Sequence, residues 1–213
     1  MSTHLAHQFD DAEQQRLAAT LGMWAFLATE VLFFGGMIAG YTIYRFRYPH
    51  DWGVASRQLD IWWGALNTAV LLTSSLTMAL SVDSAKAGNA PRLRKFLLLT
   101  MLLGTVFLCI KGYEYSHKFH ENLVPGKNFV WPHEGSASGP AQLFFSFYFV
   151  MTGCHAVHMI VGLGLLITLI MQSRRGRFSE SYFTPVENVG LYWHFVDIVW
   201  VFLYPLLYLI DRS

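Results

Sequence analysis

The chain has 213 residues, of which 54% are hydrophobic and only 14% charged, and its formal net charge is +1. A soluble domain carries about a quarter charged residues, and a near-neutral chain has no general attraction to nucleic acid. The charged residues gather between long apolar blocks, as in a membrane protein that crosses the bilayer several times.

Five apolar blocks reach the length of about 20 residues that a membrane span requires. They predict transmembrane helices at residues 17–44, 61–82, 93–115, 141–171 and 188–210, after a cytoplasmic segment at residues 1–16. Helices are expected because a lone segment in lipid must satisfy its own backbone. We therefore predict an all-α bundle, with residues 17–212 forming a single transmembrane domain.

Basic residues in the loops indicate the orientation of the bundle. The second-to-third and fourth-to-fifth connections share one side and hold Lys86, Arg92, Arg94, Lys95, Arg174, Arg175 and Arg177. The opposite connections hold Arg45, Arg47, Arg57, Lys118 and Lys127. Basic loops favour the cytoplasm, so the N-terminus is predicted inside.

The first block contains Glu30, about 13 residues into its helix and close to mid-membrane at 1.5 Å per residue. An ionisable group at that depth costs about 2.5–3.5 kcal/mol on insertion scales and usually faces the bundle or water. Desolvation disfavours the charged form. Glu30 is therefore expected to be largely neutral at pH 7 and to bond His158 or Asp197 on another helix.

Three further polar pairs lie inside the later blocks, each with a spacing of three residues. They are Lys111 with Glu114, His155 with His158, and His194 with Asp197. This spacing places both members on one helix face, so each pair can turn inward together.

Each pair also has a purely structural interpretation. Lys111 and Glu114 can form an ion pair at the membrane interface, with the lysine reaching outward. His155 and His158 lie among small residues, where a histidine can simply bridge helices by a hydrogen bond, and His194 and Asp197 can satisfy each other. A metal or haem site is not favoured, because the depths match loosely and no ExxH motif is present. Cys109 and Cys154 are interpreted as small buried hydrophobic residues.

Five motifs in order resemble subunit III of the haem–copper terminal oxidases, the family of cytochrome c and quinol oxidases. They are GMWAFLATEVLFFGG, LNTAVLL, KGYEY, TGCHAVHMIVG and YWHFVDIVWVFLYPLLYL, and the resemblance covers residues 21–210. Family members with seven helices have two further N-terminal spans. This chain begins where the third would begin, as in many bacterial members.

The resemblance implies roles for the same polar residues. Glu30 matches a buried carboxylate that reacts with hydrophobic carbodiimides, and Glu114 matches the glutamate of the EY motif. His155 and His158 match the TGxHxxH motif, and His194 and Asp197 match the WHFVD motif. In this family haem and copper belong to subunits I and II, so no catalytic, cofactor or metal residue is expected in this chain.

The resemblance therefore implies an accessory subunit of a proton-translocating respiratory oxidase in a bacterial plasma membrane. It would contact mainly subunit I, then subunit II and other subunits, through apolar faces of the first and third blocks. It would bind phospholipid, stabilise the catalytic core and support proton uptake. Cytochrome c as electron donor is favoured and quinol is the alternative, while a small membrane cytochrome and a proton-coupled transporter built around Glu30 fit less well.

Overall fold

The computed structural model of the protein describes residues 7–132, 135–180 and 182–210. Within these ranges the helices are α1 (Ala12–Arg47), α2 (Pro49–Ser56), α3 (Ile61–Lys86), α4 (Ala90–His120), α5 (Ser138–Arg174) and α6 (Thr184–Tyr208). All except α2 are long and apolar enough to cross a membrane, so the predicted five-span all-α fold is confirmed. Residues 1–6 and 211–212 of the predicted segments lie outside the described residues.

Short polar side chains begin three of the described helices, α1, α3 and α4. Asp60 Oδ1 accepts a hydrogen bond from the Trp62 amide at 2.8 Å at the start of α3, and Asn89 Oδ1 accepts one from the Arg92 amide at 3.1 Å at the start of α4. These bonds satisfy amides that have no carbonyl partner in a first helical turn. The tight turn between α3 and α4 contains Gly88 at φ +64°, a conformation that glycine adopts without strain.

The five long helices form a ring in the order α1, α6, α3, α4, α5, and α5 also packs on α6 across the ring. Half of the most apolar stretch of α6 is buried, whereas the figure for α1 is 11%. Consequently α6 is the central helix and α1 lies at the edge. In this ring α5 lies between α1 and α4, the two helices whose apolar faces are predicted to contact a partner.

Trp193 of α6 joins three other helices. A methyl group added at Gly104 of α4 would lie 2.8 Å from its indole ring, and one added at Gly162 of α5 would lie 2.9 Å away. The indole nitrogen donates to Ser74 Oγ of α3 at 3.0 Å. Gly162 therefore belongs to a close-packed face, whereas a methyl group at Gly164 would meet nothing within 4 Å.

The short helix α2 was not predicted from the sequence. Its first residue is Pro49, whose fixed φ suits the first turn of a helix. It packs against the beginning of α5, and Asp51 Oδ1 accepts a hydrogen bond from Ser136 Oγ at 2.8 Å. In the long connection before α5, the Trp131 ring lies 6.2 Å from the Phe145 ring. The connection thus covers neighbouring helices and is more than a linker.

Candidate functional site: polar clusters between the helices

Glu30 of α1 and His158 of α5 form a polar pair between the two helices. Glu30 Oε2 lies 3.0 Å from His158 Nε2, and the two side chains are 17% and 18% exposed. Of the two partners proposed from the sequence, His158 is therefore the one that Glu30 contacts. The polar ends face each other and leave little polar surface toward lipid.

The hydrogen bonds of His158 determine how many protons the pair holds. Nδ1 lies 2.8 Å from the backbone oxygen of Cys154. Since a carbonyl oxygen only accepts, we assign a proton to Nδ1. Nε2 and Glu30 then share one further proton, as a carboxylic acid with a neutral imidazole or as a carboxylate with an imidazolium. The pair is electrically neutral in both forms, which reduces its cost inside a membrane.

Aromatic groups surround the Glu30–His158 pair. The Phe34 ring meets the imidazole edge to face at 5.2 Å between centroids, and the Phe33 ring lies at 6.4 Å. The Tyr192 hydroxyl of α6 donates to the backbone oxygen of His158 at 2.9 Å. These contacts fix the imidazole and tie the pair to the central helix.

Lys111 and Glu114 of α4 form a second cluster with tyrosines of two other helices. Lys111 Nζ donates to Glu114 Oε2 at 3.0 Å, to Tyr148 Oη at 3.1 Å and to Tyr208 Oη at 2.9 Å. Glu114 Oε1 accepts hydrogen bonds from both tyrosine hydroxyls, at 2.8 Å and 2.5 Å. All three ammonium protons and both carboxylate oxygens therefore have partners.

The expectation that Lys111 reaches outward to the membrane interface is wrong. Lys111 is 4% exposed and Glu114 is 5% exposed. The ammonium also lies over the Tyr148 ring at 4.9 Å and the Trp200 ring at 5.2 Å, which provides cation–π attraction in a desolvated place. The ion pair itself is present, and it is held inside the bundle because hydroxyls from α5 and α6 complete its hydrogen bonding.

A cavity of about 500 Å³ lies beside this cluster, at the end of the bundle where α3 begins. It is lined by Arg57, Gln58, Leu59, Asp60, Ile61, Trp62, Trp63, Tyr113, Glu114, His117, Lys118 and Glu121. Lys118 donates to Glu121 Oε2 at 2.6 Å and to the backbone oxygen of Gln58 at 2.7 Å. Glu114 therefore lies between the buried cluster and a polar cavity.

His155 and His158 share a helix face but not a partner. His155 is 1% exposed, and its Nε2 lies 3.1 Å from the backbone oxygen of Val196 on α6. Its Nδ1 is buried without a hydrogen-bond partner among the described residues. The structural interpretation of a histidine that bridges helices describes this geometry, and the two imidazoles do not converge on a common point.

His194 and Asp197 do not satisfy each other. His194 Nδ1 lies 2.7 Å from Ser75 Oγ of α3. Asp197 is 2% exposed, and neither of its carboxyl oxygens has a hydrogen-bond partner within the described ranges. The Ser75 hydroxyl lies next to this carboxyl without the geometry of a hydrogen bond. Because α6 begins at Thr184, both residues also lie deeper in their helix than the predicted span implies.

Sequence reasoning missed the groups that complete these clusters, namely Tyr148, Tyr208, Ser75 and Tyr192. An apolar span rich in tyrosine and serine gives no signal for which hydroxyl turns inward. Across the described parts of the chain, no group of three or more His, Cys, Asp or Glu residues is arranged to hold a metal ion. Cys109 is exposed and Cys154 is partly exposed, so the interpretation of Cys109 as a buried residue is wrong.

Comparison with known proteins agrees with the resemblance seen in the motifs. The family model for cytochrome c oxidase subunit III matches residues 132–211. A probable cytochrome c oxidase subunit 3 of Mycobacterium leprae is 32% identical over 192 residues, which cover 90% of this chain and 87% of the relative. The corresponding protein of Nocardia farcinica is 30% identical over 191 residues, with the same coverage. Cytochrome c oxidase subunit 3 of Thermostichus vulcanus is 30% identical over 95% of this chain and 92% of the relative.

Proposed function

Because this chain belongs to the cytochrome c oxidase subunit III family and is an accessory subunit of a haem–copper oxidase, we propose that it serves an enzyme that oxidises cytochrome c. The observation that carries the choice of donor is the similarity to cytochrome c oxidase subunits along nine-tenths of the chain. The chain is a multi-pass membrane protein. Its proposed location is a bacterial plasma membrane.

Within the complex we assign haem, copper and catalysis to partner subunits, with subunit I as the main contact and subunit II among the others. The orientation of the polar groups supports this assignment. His155 and His158 bond to different helices, and Lys111 uses all its donors on Glu114, Tyr148 and Tyr208. These side chains stabilise the bundle and do not converge on a common ligand.

The proposed roles are to stabilise the catalytic core and to support its proton uptake. The Glu30–His158 pair is the candidate for the second role, since Glu30 Oε2 lies 3.0 Å from His158 Nε2, a distance across which a proton can pass. Structural stabilisation is the role that we favour for this pair, because both side chains are already bonded to each other.

Bound phospholipid is also proposed. A cavity of about 370 Å³ lies between α1 and α6, near the start of both helices. It is lined by Arg16, Leu17, Thr20, Trp24, Glu187, Asn188 and Leu191. A guanidinium group suits a phosphate, and tryptophans such as Trp24, which is 57% exposed, favour the membrane–water interface.

Purification through an affinity tag on this chain tests the proposed complex. The expected result is a stoichiometric complex with a large haem-containing subunit that oxidises reduced cytochrome c, whereas the chain alone is colourless. Activity with quinol but not with cytochrome c would reassign the donor. Stoichiometric haem or copper in the isolated, folded chain would overturn the proposal that it holds no redox centre.

Cysteine labelling tests the proposed orientation with the N-terminus inside. Cys109 and Cys154 are first replaced by alanine, and single cysteines are introduced at Ala87 and Gly126. An impermeant thiol reagent should reach position 126 from outside intact cells and position 87 only in inverted membranes. The opposite pattern reverses the proposed orientation, and labelling of both positions from one side contradicts the five-span topology.

A further inference from the structure

Ser75 and His194 form a polar contact on the side of the bundle where α3 meets α6. Ser75 lies near the middle of α3 (Ile61–Lys86). His194 lies ten residues after Thr184, the first residue of α6, or about 15 Å into the helix at 1.5 Å per residue. Both side chains are partly exposed. The contact therefore lies near mid-depth on the outer wall of the bundle.

Exposed apolar side chains lie within eight residues of this contact on the same two helices. They are Leu72 (54%) and Leu76 (60%) on α3, and Ile198 (54%), Val201 (42%) and Phe202 (60%) on α6. We call these five residues, with Ser75 and His194, the α3–α6 face. Such a surface suits either lipid chains or an apolar helix.

The hydrogen bonding of the α3–α6 face is incomplete. His194 Nδ1 is paired with Ser75, but no described residue bonds its Nε2. The exposed threonine hydroxyls of the long helices bond within their own helix, as Thr73 does to the backbone oxygen of Ala69 at 2.8 Å and Thr105 to that of Met101 at 2.8 Å. The Glu30–His158 pair is likewise satisfied within the chain. His194 thus presents an unpaired nitrogen at a partly exposed position where acyl chains offer no partner.

We propose that the α3–α6 face is a docking surface for a transmembrane helix of another oxidase subunit, which carries a hydrogen-bonding side chain opposite His194 Nε2. This inference rests on the proposed function, because it requires membership of the complex. A helix with a polar side chain satisfies the imidazole, whereas lipid does not. Polar side chains hold membrane helices together in this way, with apolar packing around them.

The chemistry of imidazole defines the partner side chain. The Ser75 hydroxyl can donate to His194 Nδ1 or accept from it, so Nε2 is a donor in the first case and an acceptor in the second. A hydroxyl or amide on the partner helix suits both cases. Residues around it should be apolar, to match the exposed Leu76 and Ile198.

The test uses the whole complex, purified through a tag on the large haem-containing subunit. The variants are His194→Leu and His194→Gln, together with Ile198→Trp, which adds bulk to the α3–α6 face. Ile160→Trp is the matched control, because Ile160 is 59% exposed but lies on α5, outside this face. The amount of this chain that remains bound is measured during dilution and washing in detergent. Gel filtration and circular dichroism of each isolated chain check that it is folded.

We expect His194→Leu and Ile198→Trp to dissociate about tenfold faster than the unaltered chain, since most changes at an interface act on dissociation. Ile160→Trp should remain bound, and His194→Gln should retain most of the affinity because an amide still hydrogen-bonds. Normal retention of folded Ile198→Trp, or equal loss of both tryptophan variants, overturns the inference. If the unaltered chain is absent from the complex, the proposed function fails first, which distinguishes the two failures.

Discussion

Lys111–Glu114 and His194–Asp197 have the same spacing of three residues, yet only the members of the first pair bond to each other. Lys111 and Glu114 bond to each other and to two tyrosines, so each of their polar atoms is satisfied. His194 bonds instead to Ser75, and Asp197 has no hydrogen bond within the described ranges. Spacing along a helix therefore determines whether two polar residues share a face. The neighbouring helices determine whether their polar atoms all find hydrogen-bond partners.

The two pairs differ because the neighbouring helices place different numbers of hydroxyl groups beside them. Tyr148 of α5 and Tyr208 of α6 converge on α4 and provide hydroxyls that both donate and accept. Around Asp197 the α3 helix provides the Ser75 hydroxyl, which bonds to His194 and makes no hydrogen bond to the carboxyl. A buried ion pair with every hydrogen bond made can be retained at low dielectric, whereas burial of a carboxyl without a hydrogen bond costs free energy.

Removal of Glu114 should have the largest effect, because it leaves the Lys111 ammonium buried without its counter-ion. We expect Glu114→Ala to lower the free energy of unfolding by about 3–5 kcal/mol, the range for breaking a buried ion pair. Equilibrium unfolding of the purified chain in mixed micelles measures this change.

The double variant Lys111→Met with Glu114→Leu is the control for that experiment. It replaces both charges with apolar groups of similar size, a change that is often neutral in other proteins. Part of the lost stability should therefore return. The remaining loss reflects the buried Tyr148 and Tyr208 hydroxyls, which lose their bonds to Lys111 and Glu114 in this variant as well. If the double variant is as unstable as Glu114→Ala, packing rather than the uncompensated charge explains the loss.

Removal of one tyrosine hydroxyl should have a smaller effect on the same cluster. Tyr208→Phe removes the bond to Glu114 and the bond from Lys111 but keeps the ring. Hydrogen bonds to charged groups contribute about 1.5–3 kcal/mol, and a loss in that range is expected in the same unfolding measurement. Tyr113→Phe is the matched control, because Tyr113 lies on α4 and is 61% exposed. Equal losses in both variants would contradict the special role of Tyr208.

The five spans could be predicted because apolar length is a property of each segment alone. Partner identity could not be predicted in the same way, since it depends on rotation and depth of several helices at once. Glu30 was assigned two candidate partners and the structure places it against His158. Lys111 was expected at the interface because no pattern in the sequence indicates that Tyr148 and Tyr208 turn toward it.

The short helix α2 shows the same limit at a smaller scale. Its eight residues (Pro49–Ser56) are too few for a clear apolar period, and its position depends on contacts with α5. Asp51 of α2 accepts a hydrogen bond from Ser136, which lies at the end of the connection between α4 and α5. Such long-range contacts leave no local signal in the sequence.

Glu30 lies between Glu114 and Asp197 in its hydrogen bonding, because its carboxyl has one side-chain partner, His158. Glu30→Ala leaves His158 Nε2 without a partner and should cost about 1–3 kcal/mol of stability. Glu30→Gln should preserve assembly and most oxidase turnover, because the amide can still donate to Nε2. Normal assembly of Glu30→Gln with nearly complete loss of turnover would show that the carboxyl relays protons.

Replacement of Asp197 should have the smallest effect, because the described residues offer its carboxyl no hydrogen bond to lose. Asp197→Asn keeps the shape and should change the free energy of unfolding only slightly, because neither a carboxyl nor an amide has a hydrogen-bond partner there among the described residues. Asp197→Leu removes an unsatisfied polar group, and such replacements are often neutral or stabilising. Both variants are compared with Glu114→Ala in the same unfolding measurement. If Asp197→Leu instead loses about 2 kcal/mol or more, the size of a hydrogen bond to a charged group, then Asp197 has a strong partner in the folded chain and the contrast with Glu114 disappears.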